Sequence, residues 1–273
     1  MKLAVTFAAL ATLLAASPAR AQYAVEVTSY TPGAAPSAGY TNTAAALGGP
    51  QRDTAFGAVT TFNPPFSTDD LVSIGEGGEL TLRLSNYVLP QVGGPEIGVF
   101  TNTGIADIDW PNGQAAAVLA NDGIATFGID SAVVEVSADG ASWVSLGEVL
   151  FDLPTAGYTD PAATSPANFQ QPFTGVLADF ASLDLAGMQT LLGGSGGGYW
   201  LDISSTGLSQ VGYVRFSLAD DGDALTDLNF DLDALSIAAG AVGPATVPEP
   251  AAVLLLLTPL ALTTRRHVQP RRA

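Results

Sequence analysis

The chain has 273 residues, no cysteine and a single histidine, and its nine basic residues face 26 acids for a formal net charge of −17. Each scarcity removes a class of chemistry. Without cysteine there is neither a disulfide framework nor a thiolate nucleophile, so a folded domain must be held by its own core. The one imidazole, His267, lies six residues before the C-terminal Ala273. No Ser-His-Asp or Cys-His nucleophile and no histidine-ligated zinc, iron or copper centre can therefore be built in the body. Lysine occurs only at Lys2, which excludes a Schiff base there. Gly193-Gly-Ser-Gly-Gly-Gly198 is followed by neither a helix nor a lysine, so it reads as a flexible connector and not a phosphate loop.

What is present divides the chain into four parts. Met1-Lys2, the apolar run Leu3–Ala16 and the small residues Ala19 and Ala21 around Arg20 have the order of a secretory signal peptide, with the mature chain starting at Gln22. At the other end stand Val247-Pro248-Glu249-Pro250, a second apolar run, and then Arg265-Arg266 with a basic tail. As a helix, Ala251–Thr264 would rise about 21 Å against a hydrocarbon core of about 30 Å, a short and processable anchor. Its arginines would hold the far end on the cytoplasmic side of the inner membrane. This tail resembles a PEP-CTERM sorting signal, which implies a bacterial exported protein with an exosortase as processing partner. The expected parts are a signal peptide over 1–21, a β domain over 22–239, a linker over 240–246 and a sorting and anchor segment over 247–273.

Gln22–Val247, 226 residues, carry three arginines (Arg52, Arg83, Arg215) against 25 acids, a net charge of −22. Such a surface repels phosphate backbones, so nucleic acid is not an expected partner, and it attracts divalent cations. The apolar pattern has a period of two. Leu80, Leu82 and Leu84 alternate with Glu79, Thr81 and Arg83. Further strands are expected at Tyr23–Val27, Glu96–Phe100, Ala132–Ser137, Ser142–Leu146, Tyr199–Ile203, Val211–Ser217 and Asn229–Ile237, with Asp139-Gly140 turning one hairpin. One helix is expected over Asp184–Leu192, capped by Asp184 and stopped by Gly193. Thr31–Pro50 reads as a loose excursion and Leu153–Pro172 as a long surface loop. The fold class is all-β, an antiparallel β-sandwich or jelly roll with one short helix, flanked by the signal peptide and the C-terminal hydrophobic helix.

Ser73–Leu82, Gly98-Val-Phe-Thr-Asn102, Val134–Val144 with its Val-Glu-Val-Ser-Ala-Asp-Gly hairpin, and Phe230–Leu235 occur in an order that resembles PEP-CTERM surface proteins with galactose-binding or discoidin-like jelly-roll bodies. The resemblance implies a cell-surface or exopolysaccharide-matrix setting. It also implies a structural calcium joining the last strand to an early segment. The family often carries an acid where this chain has Thr101.

Two groups of side chains stand out within that frame. The acids Asp221, Asp223, Asp231 and Asp233, with Asp220 and Asp227 beside them, offer the oxygen-only donors that suit calcium, although the spacing is not that of an EF-hand loop. The other reading is a solvated turn followed by water-facing strand acids. Trp110, Asn112, Tyr199 and Trp200 lie in or beside loops and suit glycan binding, while Trp143 fits a core position. Function therefore reads as a noncatalytic exported surface or matrix protein that binds glycan and calcium. Alternatives are a purely structural acidic matrix protein and a glycoside hydrolase built on a carboxylate pair such as Asp107 and Asp109.

Overall fold

The computed structural model describes residues 22–118, 125–219 and 228–246. The signal-peptide and sorting segments, including Ala19, Ala21, Val247–Pro250, Arg265 and Arg266, lie outside the described residues, as do Asp221 and Asp223. Among the described residues no helix is long and apolar enough to cross a membrane.

The protein is mostly β, with antiparallel sheets and one α-helix. In chain order the strands are β1 (Ala24–Thr31), β2 (Asp53–Thr54), β3 (Gly57–Ala58), β4 (Val72–Gly75), β5 (Glu79–Val88), β6 (Ile97–Thr101) and β7 (Gly104–Ile105). There follow β8 (Thr126–Phe127), β9 (Asp130–Ser137), β10 (Val144–Phe151), β11 (Tyr199–Leu201), β12 (Val211–Ser217), β13 (Asn229–Ile237) and β14 (Val242–Ala245). One sheet has the order β1-β5-β12-β9-β10, with β14 also on β5, and the other β11-β6-β13-β4. The main antiparallel pairs are nested in sequence: β4 with β13, β5 with β12, β6 with β11, and β9 with β10 at the centre.

Alternation builds the first sheet as expected. Leu80, Leu82 and Leu84 of β5 are fully buried, while Arg83 on the opposite face pairs with Glu26 of β1 at 2.5 Å. On the same sheet Arg215 reaches Glu135 at 2.6 Å and lies 4.2 Å above the Trp143 ring, so Trp143 covers the ionic outer face and not the core. The two sheets meet through aromatic rings. Phe216 of β12 stacks on Phe230 of β13 at 4.8 Å, and Phe151 of β10 touches both. Phe100 packs edge-on to Phe169 and Trp200 in the same core.

The helix, α1 (Leu185–Leu192), runs where the pattern placed it. Asp184 accepts the Gly187 N–H, and Gly193 closes the C-terminus in the left-handed conformation that glycine tolerates best.

Four expectations change. Thr31–Pro50 is pinned and not loose, because Pro32, Ala34 and Tyr40 exchange backbone hydrogen bonds with Ser73–Glu76. Leu153–Pro172 is not a surface loop: Thr155, Ala156, Ala167 and Phe169 are buried. The Arg52 guanidinium donates to Gly157 and Ala167 carbonyls and lies 4.4 Å above Phe169, tying that segment to the core. The Gly193–Gly198 run is built in, with Ser195 buried and the Gly196 and Gly198 N–H groups given to Asn168 and Pro154. The segment 240–246 is no linker, since β14 pairs with the far end of β5 and Thr246 donates its hydroxyl to Leu84.

Among the described residues the tightest close approach is Gly75, where an added Cβ would lie 1.8 Å from the Ala34 carbonyl oxygen. Neither backbone can yield without breaking the pinned segment. Gly75→Ala is expected to destabilise the protein by at least about 2 kcal/mol, measured by denaturant unfolding, whereas Gly147→Ala, which meets nothing within 4 Å, should lose only what its positive φ imposes.

Candidate functional site

Two of the residues singled out for glycan binding, Trp110 and Asn112, lie on one loop. Asp107 organises that loop: its carboxylate accepts the N–H groups of Asp109 at 2.9 Å, Gly113 at 3.0 Å and Gln114 at 2.8 Å. Partial burial pushes its pKa up, but these amides, led by Gln114, hold it below the usual 3.8. Asp109 accepts from the Asn112 side chain at 3.3 Å. Both carboxylates are thus occupied in shaping the loop, so Asp107 is a poor proton donor for the hydrolase alternative.

The loop thrusts Trp110 into solvent with 80% of its surface exposed, and Phe56, at the β2–β3 turn, is equally exposed. Phe56 is braced by stacking on Phe66 at 4.9 Å. Together with Phe62, Asn63 and Asn112 they line a depression of about 250 Å³. An aromatic face beside amide side chains is the arrangement that binds a sugar ring, with C–H groups on the ring and hydroxyls on the amides.

The other pair, Tyr199 and Trp200, lies apart from this rim. Trp200 is only 7% exposed, its indole N–H donates to the Gly197 carbonyl at 2.9 Å and its ring packs on Phe100. It is a core residue and offers no stacking face. Tyr199 is half-buried against Phe151. Both touch a cleft of about 430 Å³ that also includes Asp152, Phe173, Leu177 and Asp202. Burial raises the Asp152 pKa, while the Ser204 hydroxyl and amide lower that of Asp202.

Asp231 and Asp233 are buried and not water-facing, at 6% and 0% exposure. They serve different neighbours, because β13 shifts register between Leu232 and Ala234. Asp233 accepts the Gln51 N–H with both oxygens, and burial raises its pKa well above the usual value. Asp231 accepts from Ser37 and Asn102. The backbone N–H of Asp231 donates to Asp130 at 3.0 Å. Burial and then the Asp231 charge push Asp130 up to about 7. Among the described residues no three acidic, imidazole or thiol side chains converge on one point.

Phe56, Asn102, Asp130 and Asp152 were not anticipated. Phe56 had a signal, an aromatic directly before a turn glycine. Asp130 opens an apolar strand and Asn102 closes one, but their meeting depends on pairing between distant segments. The chain matches no protein-family model and no curated protein. The site therefore stands on its own geometry.

Since the Asp107 pKa is held below 3.8, its contribution to the loop is complete at neutral pH and is lost as pH falls below 3.8 through the folded value. The emission difference between the protein and its Trp110→Phe variant should stay constant from pH 7 to pH 4 and change only below that. Asp107→Ala should alter it at every pH.

Proposed function

We propose that this chain is an exported, noncatalytic surface or matrix protein whose jelly-roll body binds a neutral glycan at the Trp110–Phe56 rim. The observation that carries the glycan reading is the pair of aromatic side chains, each 80% exposed, flanking one depression with Asn63 and Asn112. Two exposed rings braced by their own loops are a poor use of apolar surface unless something covers them. Support for the jelly roll is the nested strand pairing, which is that of one long hairpin rolled into two sheets. Charge favours a neutral ligand. Arg52, Arg83 and Arg215 are all engaged within the fold, leaving the acidic surface to repel anionic polymers.

The export reading rests on the order of charges, apolar runs and small residues at the two ends, and on the Val247–Pro250 and Arg265-Arg266 elements that resemble an exosortase substrate. Protein recovered from the outside of the producing cell should begin at Gln22. An intact leader on protein found in the cytosol would contradict this reading.

On arrays of neutral polysaccharides, Trp110→Ala is expected to bind at least about tenfold more weakly than the parent, with stability unchanged within about 0.5 kcal/mol because the ring is exposed. Absence of binding to every glycan would leave the acidic structural protein as the better description. A second reading is favoured by one observation, the opposed pKa shifts of Asp152 and Asp202 in a single cleft. Release of reducing ends from the same polysaccharides, abolished by Asp152→Asn, would replace binding by hydrolysis.

A further inference from the structure

The cleft of about 430 Å³ beside Tyr199 lies where strands of both sheets finish. Asp152 directly follows β10 of the larger sheet, and Asp202 directly follows β11 of the smaller one. Leu153, Phe173, Leu177 and Tyr199 give the cleft apolar walls. A concave, mainly apolar space of this volume with a few polar groups is the usual form of a small-molecule site. Those walls are held from behind. Phe173 packs edge-on to Phe180 at 5.5 Å, and Tyr199 to Phe151 at 5.5 Å. The Phe173 ring folds back over Gly175, where an added Cβ would run into it. Asp179 accepts the Val176 N–H at 2.9 Å in the same turn, and Ser204 gives its N–H to Asp202 at 2.8 Å. The cleft is therefore formed in advance, and little ordering of the protein would oppose a guest.

Charge is a second observation, independent of the cavity. Asp152 is half-buried, and among the described residues its carboxylate takes a hydrogen bond only from its own backbone N–H. The Trp200 indole N–H, in the same lining, is given to Gly197. No lysine, arginine or histidine lines the cleft, and Arg52, Arg83 and Arg215 are engaged elsewhere. A carboxylate partly withdrawn from water without a partner is costly, and its apolar surroundings strengthen its attraction to a cation that enters. Burial raises the Asp152 pKa, as expected of an acid with no positive neighbour.

We propose that this cleft binds a small organic ammonium ion, an amine carried on an apolar body. Asp152 meets the charge with Asp202 beside it, and Phe173, Leu177 and Tyr199 cover the body. A metal ion is a poor fit, because two carboxylates among apolar walls leave most of its oxygen ligands unsupplied. The cleft is separate from the aromatic rim, so the proposal does not rest on glycan binding.

The test is calorimetric titration of the full-length chain at neutral pH and fixed ionic strength with three probes. Phenethylamine should bind at one site per chain. It should bind at least about tenfold more tightly than phenethyl alcohol, which has the body without the charge. Methylammonium, which has the charge without the body, should also bind at least about tenfold more weakly. Asp152→Asn, nearly isosteric with the parent, should bring the amine down to the level of the alcohol and leave alcohol binding unchanged. Trp110→Ala should bind phenethylamine as the parent does, which separates this site from the rim. Equal affinities for amine and alcohol would overturn the proposal and leave the cleft to the hydrolysis reading. Absence of saturable amine binding, or its loss in Trp110→Ala, would overturn it too. Should Asp152→Asn fail to fold, the ranking of the three probes on the parent still decides, with Asp202→Asn expected to weaken amine binding about threefold.

Discussion

The contact between the two sheets is made by aromatic rings, and everything else is arranged around it. Phe216 from one sheet lies on Phe230 from the other, with Phe151 against both and Tyr199 against Phe151. In a chain without disulfides, this is where cohesion between layers must reside. Burying such side chains contributes about 1.5–3 kcal/mol each, before any gain from ring geometry. The nested strand pairing brings these residues together from positions 151 to 230, so no local segment can form the core by itself.

Polar interactions then divide by location. On the outer face of the larger sheet, Arg83 and Arg215 meet Glu26, Glu79 and Glu135 in pairs partly open to water, where each is worth about 0–1 kcal/mol. Inside, Arg52 satisfies two carbonyls and covers Phe169, so one cation holds a Pro-rich segment that would otherwise be free. All three arginines of the body are consumed in this way. The remaining acids must face water or take hydrogen bonds from the chain, and Asp107, Asp233 and Asp130 all accept backbone N–H groups.

The aromatic rim and the Asp130–Asp231 contact illustrate one division of labour. The rim is built from loops whose shape is set by carboxylate-to-amide hydrogen bonds, leaving Trp110 and Phe56 free of the core. The acid pair lies where the sheets join, with the Asp231 N–H donated to the Asp130 carboxylate, and so it bears on the fold and not on recognition. Carboxylates dominate both places for the same reason: the chain has almost nothing else that ionises.

The sequence by itself determined the composition of possible chemistry, the β class, and most strands. Alternation along Glu79–Leu84, the Asp139-Gly140 turn and the Asp184 and Gly193 ends of α1 are local physics, and each was readable because a neighbour a few residues away enforces it. It passed over β4, whose four residues are all buried and so show no alternation. It also placed Trp200 outside, Trp143 inside and Leu153–Pro172 on the surface. Those positions depend on what packs on top of them, which is supplied by segments distant in the chain, as Arg52 is from Ala167. Tertiary structure alone decided that Phe56 joins Trp110, that Asp231 meets Asp130 and Asn102 while Asp233 does not, and that Val242–Ala245 completes a sheet. A side chain's type is written in the chain, but its partners are fixed only when distant strands pair.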